Sequence, residues 1–233
     1  MRVDREPAVR AGLKLLGEVG LDGLTLRAIA AELGVQAPTL YWRFRSKQDL
    51  VDEMASQVLA DYAADLLTTV LRRSTWPQWT KRSARRFRAE LLRYRDGARM
   101  VAGTYLKDTS VYAVMETGLG VFSAAGVAPE EAAVCLKTVH DFVIGFTIEQ
   151  QAVISPAGKR DPRYAPELRE ARIDPARYPL ARSIGATLFD NYDEIFERGV
   201  DFVIAGFAHG LPRRSKALLE FRAHRETAAG AES

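Results

Sequence analysis

Residues 25–44 read Thr-Leu-Arg-Ala-Ile-Ala-Ala-Glu-Leu-Gly-Val-Gln-Ala-Pro-Thr-Leu-Tyr-Trp-Arg-Phe, and this stretch decides the fold. Apolar residues recur at helical spacing on both sides of Gly34, which favours two short helices joined by a tight turn. The small side chain of Ala30 lets the second helix pack closely against the first. The pattern predicts a helix-turn-helix unit, with Leu26, Ile29, Leu33, Val35 and Leu40 as its small core.

The second helix of this unit is expected to present polar and aromatic side chains outward. In DNA-binding proteins such a helix enters the major groove with its N-terminal residues at base edges. Tyr41 and Lys47 suit phosphate contacts, and Arg27 can reach a base or a phosphate. The alternative is a plain helical hairpin within a larger bundle, with Trp42 in its core. The candidate DNA-contacting residues are Arg27, Gln36, Ala37, Pro38, Thr39, Tyr41, Trp42, Arg43 and Lys47.

Almost all of the remaining chain also shows helical periodicity, so we expect an all-α fold. Residues 155–179, which contain five prolines, are predicted to form a loop, and residues 211–233 a frayed polar tail. The predicted helices cover residues 5–18, 24–33, 37–43, 46–66, 76–94, 96–101, 111–125, 129–151, 180–188 and 191–208, with Gly20 stopping the first and Ser46 capping the fourth.

Composition sets the broad class. The chain has 233 residues, of which 47% are hydrophobic, and this is enough for a sizeable core. The net charge is only +3, and residues 1–48 hold eight basic and five acidic side chains, so DNA binding must depend on placed contacts. The single cysteine, Cys135, excludes an intramolecular disulfide and is expected to be a buried thiol. With no signal peptide and no apolar run of about 18 residues, we expect a cytoplasmic protein with no membrane partner.

A family resemblance adds to this interpretation. The segments Leu24-Thr25-Leu26-Arg27, Leu33-Gly34-Val35 and 38–44, together with Lys47, resemble the tetracycline-repressor (TetR) family. Residues 91–99 and 145–151 are similar to the C-terminal domain of the family's tetracycline-binding members, so the resemblance covers about residues 4–208. It implies a homodimeric repressor with a DNA-binding domain at 1–45 and a ligand-binding and dimerisation domain at 46–210. Gln36 and Ala37 depart from the pattern, which implies a different operator sequence.

The resemblance also implies a dimer interface. The helices at 129–151 and 191–208 would pair with their copies in a four-helix arrangement. Their apolar faces are wide for the surface of a monomer, although half of the residues could instead belong to the intramolecular core. The candidate interface residues are Val134, Thr138, Phe142, Ile195, Phe202, Val203 and Phe207.

The effector site departs from the tetracycline-binding pattern. The position of the metal-binding histidine is Val101, and an arginine of the family is Tyr105. Ala63, Ser83, Gly118 and Asp141 replace further polar residues, whereas Phe87, Thr104 and Glu149 are kept. We therefore expect a larger, more apolar site for an aromatic or polyketide-like effector other than tetracycline, with no cofactor. The candidate ligand-binding residues are Ser83, Phe87, Val101, Thr104, Tyr105, Met115, Gly118, Phe122, Asp141, Gly145 and Glu149, with Phe146 as a further wall; an Asp141–Glu149 pair could also hold a cation.

Two other functions compete with this one. An enzyme fits poorly because the three histidines are scattered and no metal-ligand spacing, phosphate-binding glycine loop or Gly-x-Ser-x-Gly motif occurs. His140 and Asp141 are neighbours on a helix, so their side chains point apart. A DNA-binding regulator that has no small-molecule effector and is controlled by a protein partner is harder to distinguish from a ligand-released repressor, and so is an activator. An enclosed pocket in the core would favour a small-molecule effector.

Overall fold

The computed structural model describes residues 4–68, 74–105 and 109–211. Within these ranges the chain is all-α, as predicted, with one isolated antiparallel bridge between Ile154 and Arg160. A short 3-10 helix covers Pro162–Tyr164. The α-helices are α1 Arg5–Gly23, α2 Leu26–Glu32, α3 Ala37–Tyr41, α4 Lys47–Thr68, α5 Trp76–Leu92, α6 Gly97–Val101, α7 Ser110–Ala124, α8 Pro129–Val153, α9 Pro166–Arg172, α10 Pro179–Ser183, α11 Gly185–Phe189 and α12 Tyr192–Gly210.

Helices α2 and α3 form the predicted helix-turn-helix. The Thr25 hydroxyl caps α2 by accepting a hydrogen bond from the Ala28 amide at 3.1 Å. Gly34 adopts a φ of 65°, and the turn closes when the Val35 amide donates to the Ala30 carbonyl at 2.9 Å. Ile29 and Leu40 are fully buried between the helices, where each contributes roughly 1.5–3 kcal/mol.

Helix α1 continues past the predicted stop. It runs to Gly23 with a kink at Gly20, whose φ is 72°. The kink is stabilised from outside the helix, because the Asp96 carboxylate accepts the Leu21 amide at 2.9 Å. The Lys47 ammonium also donates to the Leu21 carbonyl at 2.6 Å. Tertiary contacts therefore satisfy the backbone groups that the kink frees.

Helix α4 joins the helix-turn-helix to the rest of the chain. It packs on α1, α5, α6 and α7, and α8 in turn contacts α5, α6, α7 and α12. One cluster of buried apolar residues runs from α1 through α4 to α8 and α12, so the two parts share a core. The Ser46 hydroxyl accepts the Asp49 amide at 3.1 Å, which confirms the predicted cap.

A second, smaller core lies at the N-terminal end of α8. Trp76, Phe122 and Cys135 are buried there, and Leu211 packs with them rather than fraying. Burial raises the pKa of the Cys135 thiol to about 11, so the thiol is protonated and inert, as predicted. The remainder of the predicted tail, 212–233, lies outside the described residues.

The prediction for residues 155–189 was partly wrong. The segment 155–179 contains α9, and the single helix predicted at 180–188 is divided into α10 and α11. Pro166 and Pro179 each begin a helix, which a proline permits because the first helical amide needs no partner. Among the described helices, none combines the length and apolar character needed to cross a bilayer.

Candidate nucleic-acid interface and ligand cavity

The outward face of α3 is open to solvent. Trp42, just after the helix, is 93% exposed and Tyr41 is 57% exposed, so neither belongs to the core of this chain. Gln36, Pro38 and Arg43 are exposed, whereas Ala37 and Thr39 are half-buried. Such large exposed aromatic side chains need a partner outside the monomer, and a nucleic acid offers them phosphates and base edges.

Two basic residues flank this face. Arg27 is exposed in the first turn of α2. Lys47 is half-buried, and its ammonium donates to the Leu21 carbonyl and, at 3.5 Å, to the Asp22 carbonyl. An ammonium carries three N–H donors, so one remains for a phosphate. Lys47, at the start of α4, therefore stabilises the kink of α1, in addition to the phosphate contact predicted for it.

Residues at and just before α6 bind the kinked end of α1. The Arg95 guanidinium donates to the Glu18 carbonyl at 3.0 Å, and Arg99 pairs with Asp22 at 3.2 Å. Together with the Asp96–Leu21 hydrogen bond, these contacts tie residues 95–99 to α1. Asp96 itself has a φ of 57°, the left-handed conformation that aspartate tolerates better than most residues.

Helix α8 contacts residues 91–98 through the side chain of Gln151. Its amide nitrogen donates to the Leu91 and Tyr94 carbonyls at 3.0 and 2.8 Å. Its amide oxygen accepts the Ala98 amide at 3.1 Å. A continuous set of hydrogen bonds therefore runs from α8 through residues 91–99 to α1, which carries the helix-turn-helix.

A cavity of about 360 Å³ lies between α4, α5, α7 and α8. Its size falls in the usual range for small-molecule sites, roughly 300–1,000 Å³. Tyr62, Phe87 and His140 form an aromatic wall: the Phe87 ring stacks on the imidazole at 5.0 Å and 17°, and lies 5.2 Å from the Tyr62 ring. The lining residues are Leu59, Tyr62, Trp79, Thr80, Ser83, Ala84, Phe87, Val111, Val114, Met115, Leu119, Ala133, Leu136, Lys137, Val139, His140 and Val143.

Few polar groups interrupt this apolar wall. The Tyr62 and Ser83 hydroxyls share a hydrogen bond of 2.6 Å, and burial raises the pKa of Tyr62 to about 12. His140 is partly open to solvent, yet desolvation by the groups packed against it lowers the pKa of its imidazole, which favours the neutral form. The indole N–H of Trp79 is buried and has no acceptor among the described residues. Lys137 lies at the rim, with both carboxylate oxygens of Asp141 at 2.5–2.6 Å.

Comparison with known proteins assigns this arrangement to a family. Residues 8–54 match the description "Bacterial regulatory proteins, tetR family", and residues 71–211 match "Tetracyclin repressor-like, C-terminal domain". The chain belongs to the tetR family. The predicted family, fold and helix-turn-helix are therefore confirmed, and the chain is a DNA-binding transcriptional regulator.

Individual tetR-family relatives cover most of the chain. The tetracycline repressor protein class G of Vibrio anguillarum is 35% identical over 88% of this chain and 94% of that protein. A possible TetR family transcriptional regulator from Streptomyces coelicolor A3(2) is 36% identical, with a TM-score of 0.76 over 87% of this chain and 98% of its own. A TetR variant from Acinetobacter baumannii AYE, solved with minocycline, is 32% identical, with a TM-score of 0.68 over 89% of this chain and 98% of its own.

The cavity of this tetR-family regulator includes some of the predicted ligand-binding residues. Ser83, Phe87 and Met115 line it. Gly118 lies behind it, where a β-carbon would come within 2.6 Å of the Trp79 ring, so only glycine fits against this wall residue. For these four residues the geometry agrees with a site, and their role in binding stays a prediction.

The other predicted residues lie off the wall. Val101 is buried in the main core, and Phe122 fills the second core against Trp76 at 5.0 Å. The Thr104 hydroxyl donates to the Met100 carbonyl at 2.5 Å. Tyr105 is 75% exposed. Asp141, Gly145 and Glu149 are exposed on α8, and Phe146 packs on Phe196 at 5.4 Å.

Sequence reasoning missed the residues that α8 contributes to the wall. Positions 133, 136, 140 and 143 follow the helical spacing and share one face of α8. The spacing can be read from the sequence; Asp141 lies at the edge of this face, one turn after the lining residue Lys137, whereas Glu149 lies outside the lining. The Trp79 contribution carried no signal, since a tryptophan in an amphipathic helix is ordinarily a core residue.

The predicted interface residues divide into three groups. Val134 and Phe202 are 63% and 68% exposed, and Thr138 is also exposed. Phe142 packs inside the monomer, stacked on Phe196 at 5.8 Å, and Phe207 lies edge-on to Trp76 at 5.4 Å. Ile195 and Val203 are half-buried, and Val203 packs against the main core.

Proposed function

We propose that this regulator is a homodimeric repressor that a small molecule, held in the cavity, releases from its operator. The observation that carries the proposal is that one helix, α4, supplies both a cavity wall and the link to the DNA-binding helices. Leu59 and Tyr62 line the cavity, and Lys47, at the start of α4, fixes the kink of α1. An apolar cavity of this size, although partly open to solvent at Met115 and Lys137, favours a small-molecule effector over a regulator without one.

Release follows from a shift between two conformations. A ligand that fits one arrangement of α4 and α8 better than the other changes the population of the two. Residues 91–99 transmit the same change to α1 through the Asp96–Leu21 and Gln151 hydrogen bonds. The two recognition helices of a dimer must reach successive major grooves, about 34–36 Å apart, so a small change of angle is enough to lose one of them.

The exposed apolar surface of α8 and α12 supports the dimer. Val134 and Phe202 expose large side chains on helices that pack against each other in the monomer. A second copy that applies the same surface buries both in an isologous contact, the form that a two-fold dimer requires.

We further propose that the effector is not tetracycline. The position at which the tetracycline-binding members carry a metal-binding histidine is here Val101, a buried aliphatic side chain. His140 is the one imidazole on the described wall, where carboxylates are lacking, so a magnesium chelate would find few ligands.

The test is an anisotropy titration with DNA from the gene's own upstream region, at fixed salt. Tight binding to a palindromic site, abolished by a non-tetracycline natural product but not by tetracycline with magnesium, would support both proposals. Release by tetracycline would contradict the second. A bulky substitution at the mouth, Met115→Trp, should raise the concentration needed for release, whereas Tyr112→Trp, on the same helix but not on the wall, should not.

A further inference from the structure

The rim of the cavity carries a balanced charge. Lys137, on the α8 side of the wall, is the one cation among the described residues that line the cavity, and the Asp141 carboxylate one turn later accepts hydrogen bonds from its ammonium at 2.5 and 2.6 Å. An anionic ligand would have to displace this carboxylate before it could use the lysine. The ligand's anion and the Asp141 carboxylate would then compete for one ammonium, and whichever is left unpaired beside the apolar wall is unfavourable.

The unused polar groups of the wall are hydrogen-bond donors. The Tyr62 and Ser83 hydroxyls bond to each other, which leaves one of their two hydrogens free. Buried donors without acceptors are costly, so a ligand that brings acceptor oxygens is favoured.

The shape of the wall favours a flat ligand. The Phe87 ring and the His140 imidazole lie within 17° of parallel, with centroids 5.0 Å apart. Because burial also lowers the pKa of His140, with Asp141 opposing and Lys137 reinforcing the shift, the imidazole adds no positive charge at neutral pH. A cavity of about 360 Å³ accommodates a fused-ring molecule.

We propose that the effector is an uncharged, planar, polycyclic aromatic molecule with carbonyl-type acceptor oxygens, and that Asp141 sets this preference by neutralising Lys137 at the rim. This inference rests on the proposed function, because it concerns the same cavity. It makes Asp141 a specificity residue that acts through Lys137, rather than a ligand for a cation.

The experiment compares two probes that differ in charge and little else: anthraquinone-2-carboxamide and anthraquinone-2-carboxylate. Calorimetric titration of the full chain at neutral pH should show the amide binding about tenfold more tightly or better. Adding EDTA should change neither affinity. Anisotropy with operator DNA, measured separately, reports whether each bound probe also causes release.

Charge removal tests the role of Asp141. Asp141→Asn frees Lys137, and we expect the carboxylate to bind about threefold more tightly while the amide is unaffected. Glu131→Gln removes the same charge from an exposed position on α8 and serves as the control, with no effect on either probe. Thermal unfolding of both variants confirms that they are folded.

The outcomes separate the inference from the proposed function. If the carboxylate binds as tightly as the amide, or if neither binds, the inference is overturned. If the carboxylate binds as tightly as the amide or more tightly, and releases the operator, the repressor mechanism stands although the ligand class is wrong. If the amide binds and the operator is not released, the ligand class stands and the proposed release mechanism fails.

Discussion

At the scale of single residues, Gln36 and Tyr41 illustrate two ways in which this chain can contact DNA. Gln36 precedes α3 and is exposed. Its amide can form two hydrogen bonds with an adenine, whereas the neighbouring Ala37 offers only a methyl group. Tyr41 is 57% exposed and its hydroxyl suits a phosphate. We therefore expect Gln36 to read the base sequence and Tyr41 to contribute to affinity for any sequence.

Substituting these two residues separates the roles. Gln36→Ala should cost about 1–3 kcal/mol at the cognate operator and relax the preference at one base pair in each half-site. Tyr41→Phe should weaken binding to every DNA sequence by about the same factor. Binding to a library of operators with single base changes measures both effects, and an unchanged preference in Gln36→Ala would contradict the role of that residue.

His140 predicts a dependence of effector binding on pH. A neutral aromatic ligand covers the imidazole, so it opposes protonation further and the free protein binds more protons than the complex. The pKa of His140 in the free protein already lies below the ordinary 6.5 because of burial. Affinity for anthraquinone-2-carboxamide should therefore be constant above about pH 6.5 and fall as the pH is lowered through the imidazole pKa.

A glutamine at this position removes the titration. Affinity should become flat with pH in His140→Gln, whereas His209→Gln, in the last turn of α12, should keep the fall. Calorimetric titrations across the acid range measure the difference. A fall of equal size in both variants would assign the titration to another group.

At the scale of elements, the helices that sequence reasoning missed show where local patterns are overruled. Gly20 was expected to end α1, yet contacts from Asp96 and Lys47 hold a kink there and the helix continues. The five prolines of residues 155–179 predict a loop, yet Pro166 begins α9. Proline and glycine limit the local backbone, but tertiary partners and position within the helix decide the outcome.

The kink of α1 should carry part of the coupling between cavity and operator. Asp96→Ala removes the acceptor of the Leu21 amide, at a cost of about 0.5–1.5 kcal/mol in stability, and the left-handed φ of 57° at this position adds about 1 kcal/mol of strain for alanine. The ratio of operator affinities without and with effector should fall as well. Anisotropy titrations of operator DNA with and without the effector measure this ratio.

Asp161→Ala is the matched control, because Asp161 also accepts a backbone amide at 2.9 Å, that of Arg163, but outside this contact. Its ratio should equal that of the unmodified protein. If both variants keep the full ratio, α4 alone transmits the signal.

At the scale of the whole molecule, the DNA-binding surface could be predicted from the sequence far better than the cavity. The helix-turn-helix is contained in 20 consecutive residues, with its turn and core at fixed spacings. The cavity wall comes from four helices that are separated in sequence. Whether Ser83 or Asp141 faces the cavity depends on how each helix is rotated about its axis relative to its neighbours, and periodicity does not fix that rotation.

The dimer predicts that one exposed aromatic residue controls operator binding from a distance. Phe202→Glu places a charge in the proposed α8–α12 contact, so the chain should become monomeric and lose tight binding to a palindromic operator. Tyr112→Glu changes a comparably exposed ring on α7, 64% against 68%, and should leave the dimer intact. Sedimentation velocity and anisotropy measure both variants, and a Phe202→Glu dimer would place the interface elsewhere.

The three tryptophans of the chain have a spectroscopic consequence. Trp42 is 93% exposed beside the recognition helix, Trp79 lines the cavity, and Trp76 is buried in the second core. Their emission maxima should accordingly run from red to blue in the order Trp42, Trp79, Trp76. Operator DNA should quench the red component and an aromatic effector the component from Trp79. Single-tryptophan variants would then record both binding events optically, without a dye attached to either ligand.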